Sequence, residues 1–127
     1  MSTWIIRPVR ETDQPAWLRM RLALWPDTTI EELQKDLPGY YEGKPGQAAF
    51  VAEIAGGELV GFLEASLRAY AGGCDTSPVG YIEGWYVEDA WRFQGIGAAL
   101  VLAAEEWARK QGCSEMGSDC SLDNDVS

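Results

Sequence analysis

Between residues 93 and 111, apolar side chains recur every three or four positions. Ile96, Leu100, Ala103, Ala104 and Trp107 fall on one helical face, and Gly112 closes the run. A helix with one apolar stripe has to lay it on another element. The segment just before supplies one: residues 80–87 carry Tyr81, Trp85 and Tyr86, aromatics that point to both faces of a strand, as in a buried central position. A central strand, a short turn and a long helix therefore fix a sheet with a helix laid across it.

The other segments fit around that unit. Residues 3–7 read as a short strand stopped by Pro8. Thr12 and Asp13 before Pro15 look like a helix start with a capping residue, and Leu18, Leu22 and Trp25 follow at helical spacing until Pro26. Thr28 and Thr29, each three residues ahead of a glutamate, open a second helix that stops near Pro38. Residues 39–46 read as a loop, and 48–55 and 58–68 as strands joined by a hairpin at Gly56-Gly57. A loop over 69–78 precedes the aromatic strand, and 115–118 forms a last short strand. The order β-α-α-β-β-β-α-β, with hairpins early and a crossover late, predicts a mixed α/β domain over residues 1–127.

The turn between strand and helix, Arg92-Phe93-Gln94-Gly95-Ile96-Gly97-Ala98, carries chemistry. The first turn of a helix leaves backbone N–H groups unpaired and carries a partial positive charge, so it binds phosphate. Gly95 and Gly97 let the backbone approach an anion, and Arg92 adds a charged donor. No Gly-Lys-Ser/Thr follows, and the third glycine of a dinucleotide fingerprint is missing. A glycine-bearing loop that only turns the chain is the plainer alternative.

Composition removes several function classes. There is no histidine, which excludes histidine triads and histidine metal sites, and three cysteines with no C-x-x-C pair speak against a disulfide framework or zinc. No metal is expected. The net charge of −10 opposes nucleic-acid binding and attracts cations, although solubility alone also accounts for it. No apolar run approaches the ~18 residues of a membrane span, and residues 1–8 lack the pattern of a signal peptide, so the cytoplasm is the expected compartment.

Residues 83–112 resemble the acetyl-CoA-binding core of the GNAT superfamily of N-acetyltransferases, whose pattern Arg/Gln-x-x-Gly-x-Gly/Ala is matched by Arg92, Gly95 and Gly97. Further segments extend the likeness to aminoglycoside 6′-N-acetyltransferases: Arg21-Leu22-Ala23-Leu24-Trp25-Pro26, Gly61-Phe62-Leu63-Glu64-Ala65-Ser66, Gly73-Cys74-Asp75-Thr76-Ser77-Pro78, Ile82-Glu83-Gly84-Trp85-Tyr86-Val87 and Ser118-Asp119-Cys120-Ser121. The resemblance implies a mostly antiparallel GNAT-type sheet flanked by helices. It implies acetyl-CoA as co-substrate, met by the backbone of Trp85, Tyr86 and Val87, by Arg92, Phe93, Gln94, Gly95, Ile96, Gly97 and Ala98, and by Asn124. It places Glu83 beside the reacting amine, Asp119 on the substrate, and Trp25 and Tyr70 as aromatic walls. It also implies a homodimer and a polycationic aminoglycoside as substrate.

Chemistry at these residues follows. An alkyl amine arrives protonated at neutral pH. Glu83 is expected either to take that proton, directly or through a water, or only to hold a cation of the substrate. A backbone N–H of the strand would stabilise the oxyanion when the amine attacks the thioester. Asp119 either binds substrate or caps the following helix, a task open equally to Ser121 and Asp123. Members of this fold continue beyond Asn124 with a helix and two strands, so the fold is expected to lack those last elements here and to leave 115–118 as a sheet edge. A protein that truly ended at Ser127 is expected to have weak activity and to associate. Rival readings are an acetyltransferase of the same fold for a polyamine or a protein N-terminus, and a coenzyme-binding module without catalysis.

Overall fold

The computed structural model describes residues 3–69, 74 and 77–118. A first strand, β1 (Trp4–Pro8), leads through a 3-10 turn (Glu11–Asp13) into helix α1 (Gln14–Leu24) and two short helices, α2 (Ile30–Gln34) and α3 (Leu37–Tyr41). Strands β2 (Gln47–Ile54), β3 (Leu59–Arg68) and β4 (Val79–Val87) follow. A second 3-10 turn (Asp89–Trp91), helix α4 (Ile96–Lys110) and strand β5 (Met116–Ser118) complete the described chain. The strands lie in one sheet in the order β1-β2-β3-β4-β5. Every pairing is antiparallel except β4 with β5, which α4 joins as a crossover and which run parallel. No described helix is long and apolar enough to cross a membrane.

Both faces of the sheet are covered, because its strands alternate apolar side chains to either side. On one face Ala52, Val60, Leu63, Ala65, Ile82 and Val87 meet Ile96, Leu100 and Ala104 of α4. On the other, Val51, Leu59 and Phe62 meet Trp17 and Met20 of α1 and Leu37 of α3. The predicted apolar stripe of α4 is thus the one that lies on the sheet, and Trp17 is fully buried. Gly80 lets α4 and β5 close on the sheet, since a Cβ there would stand 2.8 Å from that of Ala108 and 2.6 Å from the Met116 sulfur.

Three expectations are corrected. Helix α4 begins at Ile96 and not at Phe93, because Phe93 (φ 65°) and Gly95 (φ 85°) both adopt left-handed backbone that a helix cannot include. The stretch read as a loop from residue 39 lies partly in α3: Pro38 sits in that helix's first turn, where its missing N–H costs nothing, rather than ending the helix before it. Asp13 does not cap α1. Its carboxylate turns back to the Arg7 guanidinium (2.8 Å to each oxygen) and to the Arg10 N–H (2.7 Å). The Thr29 cap and the Gly56-Gly57 turn, both glycines at positive φ, form as read.

Candidate active site

The registry of β3 and β4 contains the feature that builds the site. Glu64 pairs with Gly84 and Ala65 with Ile82, so Glu83 is the extra residue of a β-bulge. The bulge sets Glu83 and Gly84 on the same face, toward α1 and α2. There a cleft of about 500 Å³ is lined by Arg21, Trp25, Thr28, Glu32, Leu33, Asp36, Tyr40, Glu64, Ser66 and Glu83.

Glu83 is held in the cleft by Ser66, whose hydroxyl donates to Oε2, and by Arg68, whose Nη2 lies 2.9 Å from Oε1 and 3.0 Å from Oε2. Trp25 stands at the C-terminal end of α1. Its ring is packed on the backbone of β4 at Gly84, where a Cβ would fall 2.5 Å from Cη2, and it meets Phe62 edge-on with centroids 6.3 Å apart. Glycine at position 84 therefore permits the aromatic wall.

Beneath this wall lies a buried polar group. Glu64 is 2% exposed and accepts from Arg21 Nε and Nη2, both at 2.7 Å, and from Trp17 Nε1 at 2.8 Å. Arg21 Nη1 goes on to the Leu33 carbonyl (2.7 Å) and Asp36 (2.8 Å). Burial works against charge on Arg21, but Glu64 and Asp36 outweigh it and hold the guanidinium protonated. Burial likewise pushes the Glu64 carboxyl up, with Arg21 and the Trp17 N–H pulling against it. The Tyr40 hydroxyl is raised by burial and by the Glu64 charge, so it stays a neutral phenol on the cleft wall.

The opposite edge of β4 is only partly paired among the described residues. β5 pairs only with Gly80, Tyr81 and Ile82, so from Glu83 onward that edge has no strand partner among the described residues. The Glu88 N–H bonds the Val60 carbonyl (2.8 Å), which sets the alternation of the ladder and turns the N–H and C=O of Trp85 and Val87 away from β3, toward the open edge. Arg92 Nε donates to the Val87 carbonyl (3.0 Å) and its Nη1 pairs with Asp89 (3.0 Å), so Arg92 braces the turn as well as lending it charge. Among the described residues no side chain caps α4; its first internal bond is from Ala99 N–H to Gly95 O (3.0 Å), which leaves the amides of Ile96, Gly97 and Ala98 facing out of the helix end. Around Gly95 nothing stands within 4 Å of where a Cβ would be. An uncapped helix start beside an open strand edge fits a diphosphate on a long arm.

The expected residues fall into place unevenly. Glu83 and Trp25 come together in the cleft. Gln94 and Ala98 are exposed, and Phe93 is 79% exposed at the tip of the turn. The side chains of Trp85 and Val87 pack toward α4, and Ile96 is fully buried, so these three offer backbone only. Tyr86 points the other way, against Phe62. Tyr70, Asp119 and Asn124 lie outside the described residues. Sequence reasoning missed Ser66, Arg68, Arg21, Asp36, Tyr40 and the role of Glu64. A signal for two of them is present: Glu64 is a charged residue directly after the apolar run 59–63, and Ser66, two residues on, shares its face.

An acidic cleft with an aromatic wall on one side of a bulged strand, and an anion-ready helix start along its free edge, define an acyltransferase of the GNAT type. The model of the "Acetyltransferase (GNAT) family" matches residues 9–127, and the chain belongs to that family. Among its relatives is the aminoglycoside N(6′)-acetyltransferase type 1 of Klebsiella aerogenes, 45% identical over 99% of this chain and 84% of that protein. The protein of the same name from Stenotrophomonas maltophilia is 43% identical over 94% and 76% of the two chains. The solved structure of AAC(6′)-Iy in complex with the bisubstrate analog CoA-S-monomethyl-acetylneamine matches with a TM-score of 0.87 at 35% identity, covering 97% of this chain and 83% of that one.

Proposed function

We propose that this chain transfers the acetyl group of acetyl-CoA to the 6′-amino group of an aminoglycoside and so confers resistance to it. The observation that carries the reading is the position of Glu83. It is the bulged residue of the very strand whose open edge leads to the turn 92–98, so the amine anchor and the thioester site share one strand. Relatives at 35–45% identity bear the name aminoglycoside N(6′)-acetyltransferase, which supports the substrate class.

In this reading the turn 92–98 and the outward backbone groups of Trp85 and Val87 hold the coenzyme, which supplies an activated acetyl group. Glu83 binds the reacting ammonium and receives its proton, directly or through a water. An outward N–H of β4 meets the oxyanion as the nitrogen attacks. Trp25 stacks on a sugar ring, and Tyr70 and Asp119 complete the substrate site. The charge of −10 draws in a substrate with several ammonium groups. The proposal includes a cytoplasmic location, supported by the free thiols Cys74 and Cys113, and a homodimer, supported by the resemblance to aminoglycoside acetyltransferases.

Release of free coenzyme A with tobramycin tests the roles together. Removing a general base costs typically 10²–10⁴ in rate, so Glu83→Gln is expected to lower kcat/KM by about 100-fold or more. Equal rates for both proteins would end the assignment of Glu83.

A further inference from the structure

Two arginines of opposite construction bind carboxylates that line the cleft. Arg21 is buried, its donors spent on Glu64, Asp36 and the Leu33 carbonyl, with the Trp17, Trp25 and Tyr40 rings 5.5–5.9 Å from its guanidinium. It cannot leave without stranding a buried carboxylate. Arg68 is the last residue of β3, and its side chain is 41% exposed. Its guanidinium lies on the face of Tyr81, 3.6 Å from the ring centroid, and grips both oxygens of Glu83. Glu83 is 29% exposed and faces the cleft. Thus the carboxylate assigned to the incoming ammonium already has a cation on it, and that cation is the one free to move.

We propose that Arg68 is a displaceable counter-ion that sets amine specificity. It neutralises Glu83 while no amine is in the cleft and yields the carboxylate to the substrate's ammonium, which then sits beside Glu83 and Ser66. The proposal rests on the amine-acetyltransferase reading above. An ion pair open to water contributes little net stability, so the exchange is close to balanced. The stack on Tyr81 gives the released guanidinium a place to rest. A near-balanced exchange favours ligands that bring further contacts. A polycation, with other ammonium groups to set against Glu32 and Asp36, displaces Arg68 readily, whereas a monoamine has only the one charge to offer.

The test compares wild type, Arg68→Gln and Arg68→Lys with two amines: tobramycin and the single-ring monoamine 6-amino-6-deoxyglucose. Titration calorimetry without acetyl-CoA gives Kd, and coenzyme A release gives KM and kcat. Losing the competing charge is expected to tighten tobramycin binding by up to about five-fold in Arg68→Gln, the upper range of one exposed ion pair. The gain is expected for both amines, to fall on KM rather than kcat, and to be absent in Arg68→Lys, which keeps the charge. Unchanged or weaker binding in Arg68→Gln, or a fall in kcat with KM unmoved, would overturn the proposal; the second result would mean that Arg68 only orients Glu83. If wild type turns over no amine at all, the functional reading fails by itself. The calorimetric comparison then still decides whether Arg68 competes for the cleft.

Discussion

Glu64 is an unusual residue to find fully buried in a strand, and its neighbours explain how it persists. A carboxylate taken out of water is tolerated when its lone pairs are filled, and here Arg21 and Trp17 fill them with three bonds of 2.7–2.8 Å. The same guanidinium ties α1 to Asp36 just beyond α2, so one buried pair sets the wall of the cleft. Breaking such a pair by removing one partner costs ~3–5 kcal/mol, and Glu64→Leu is expected to lower the urea-unfolding free energy by about that amount. A loss under 1 kcal/mol would show that Arg21 finds full compensation in Asp36.

Asp13 makes the second residue-scale prediction. Burial works to raise its carboxyl, but the Arg7 guanidinium and the Arg10 N–H overcome burial and hold it below the ordinary carboxylate value. A group whose folded value is lowered stabilises the fold above its unfolded value and loses that contribution as pH falls through the folded one. Asp13→Asn is therefore expected to lower Tm at pH 7 and to shrink the difference in Tm between pH 7 and pH 3. An equal acid loss in both proteins would remove Asp13 from the account.

At the level of elements, the bulge in β4 and the left-handed turn before α4 do the positioning. The bulge places Gly84 beneath Trp25, and a methyl there would stand 2.5 Å from the ring. Displacing a substrate-positioning group by about 1 Å can cost up to ~100-fold, so Gly84→Ala is expected to lower kcat/KM for tobramycin by about ten- to hundred-fold while acetyl-CoA affinity holds. A unchanged KM for tobramycin would mean that Trp25 does not touch the substrate. These elements also show what can be read from sequence and what cannot. The α4 stripe was legible because burial imposes a period, and β2 and β3 because a Gly-Gly hairpin joins them. The bulge was not, since one extra residue leaves composition and pattern nearly unchanged and only cross-strand pairing reveals it. Helix α3 was hidden because Pro38 and Gly39 are turn residues in isolation, and packing of Leu37 overrides that preference.

On the scale of the whole molecule, charge and topology work together. In the proposed reading, uncapped amides and Arg92 serve the cofactor side of β4 and carboxylates the amine side, so one strand would separate a polyanion site from a polycation site. The turn 92–98 and Glu83 were legible as residues, but Arg68 and Ser66 were not, because their partner is 15 or more positions away in sequence and adjacent only through the β3–β4 pairing. Incubating the protein with acetyl-CoA and tobramycin and locating the acetyl group by NMR bears directly on the reaction assigned to this cleft. The expected product carries a single acetyl on the 6′-nitrogen. Acetylation of spermidine or a peptide with tobramycin left untouched, or an acetyl on another nitrogen, would contradict it.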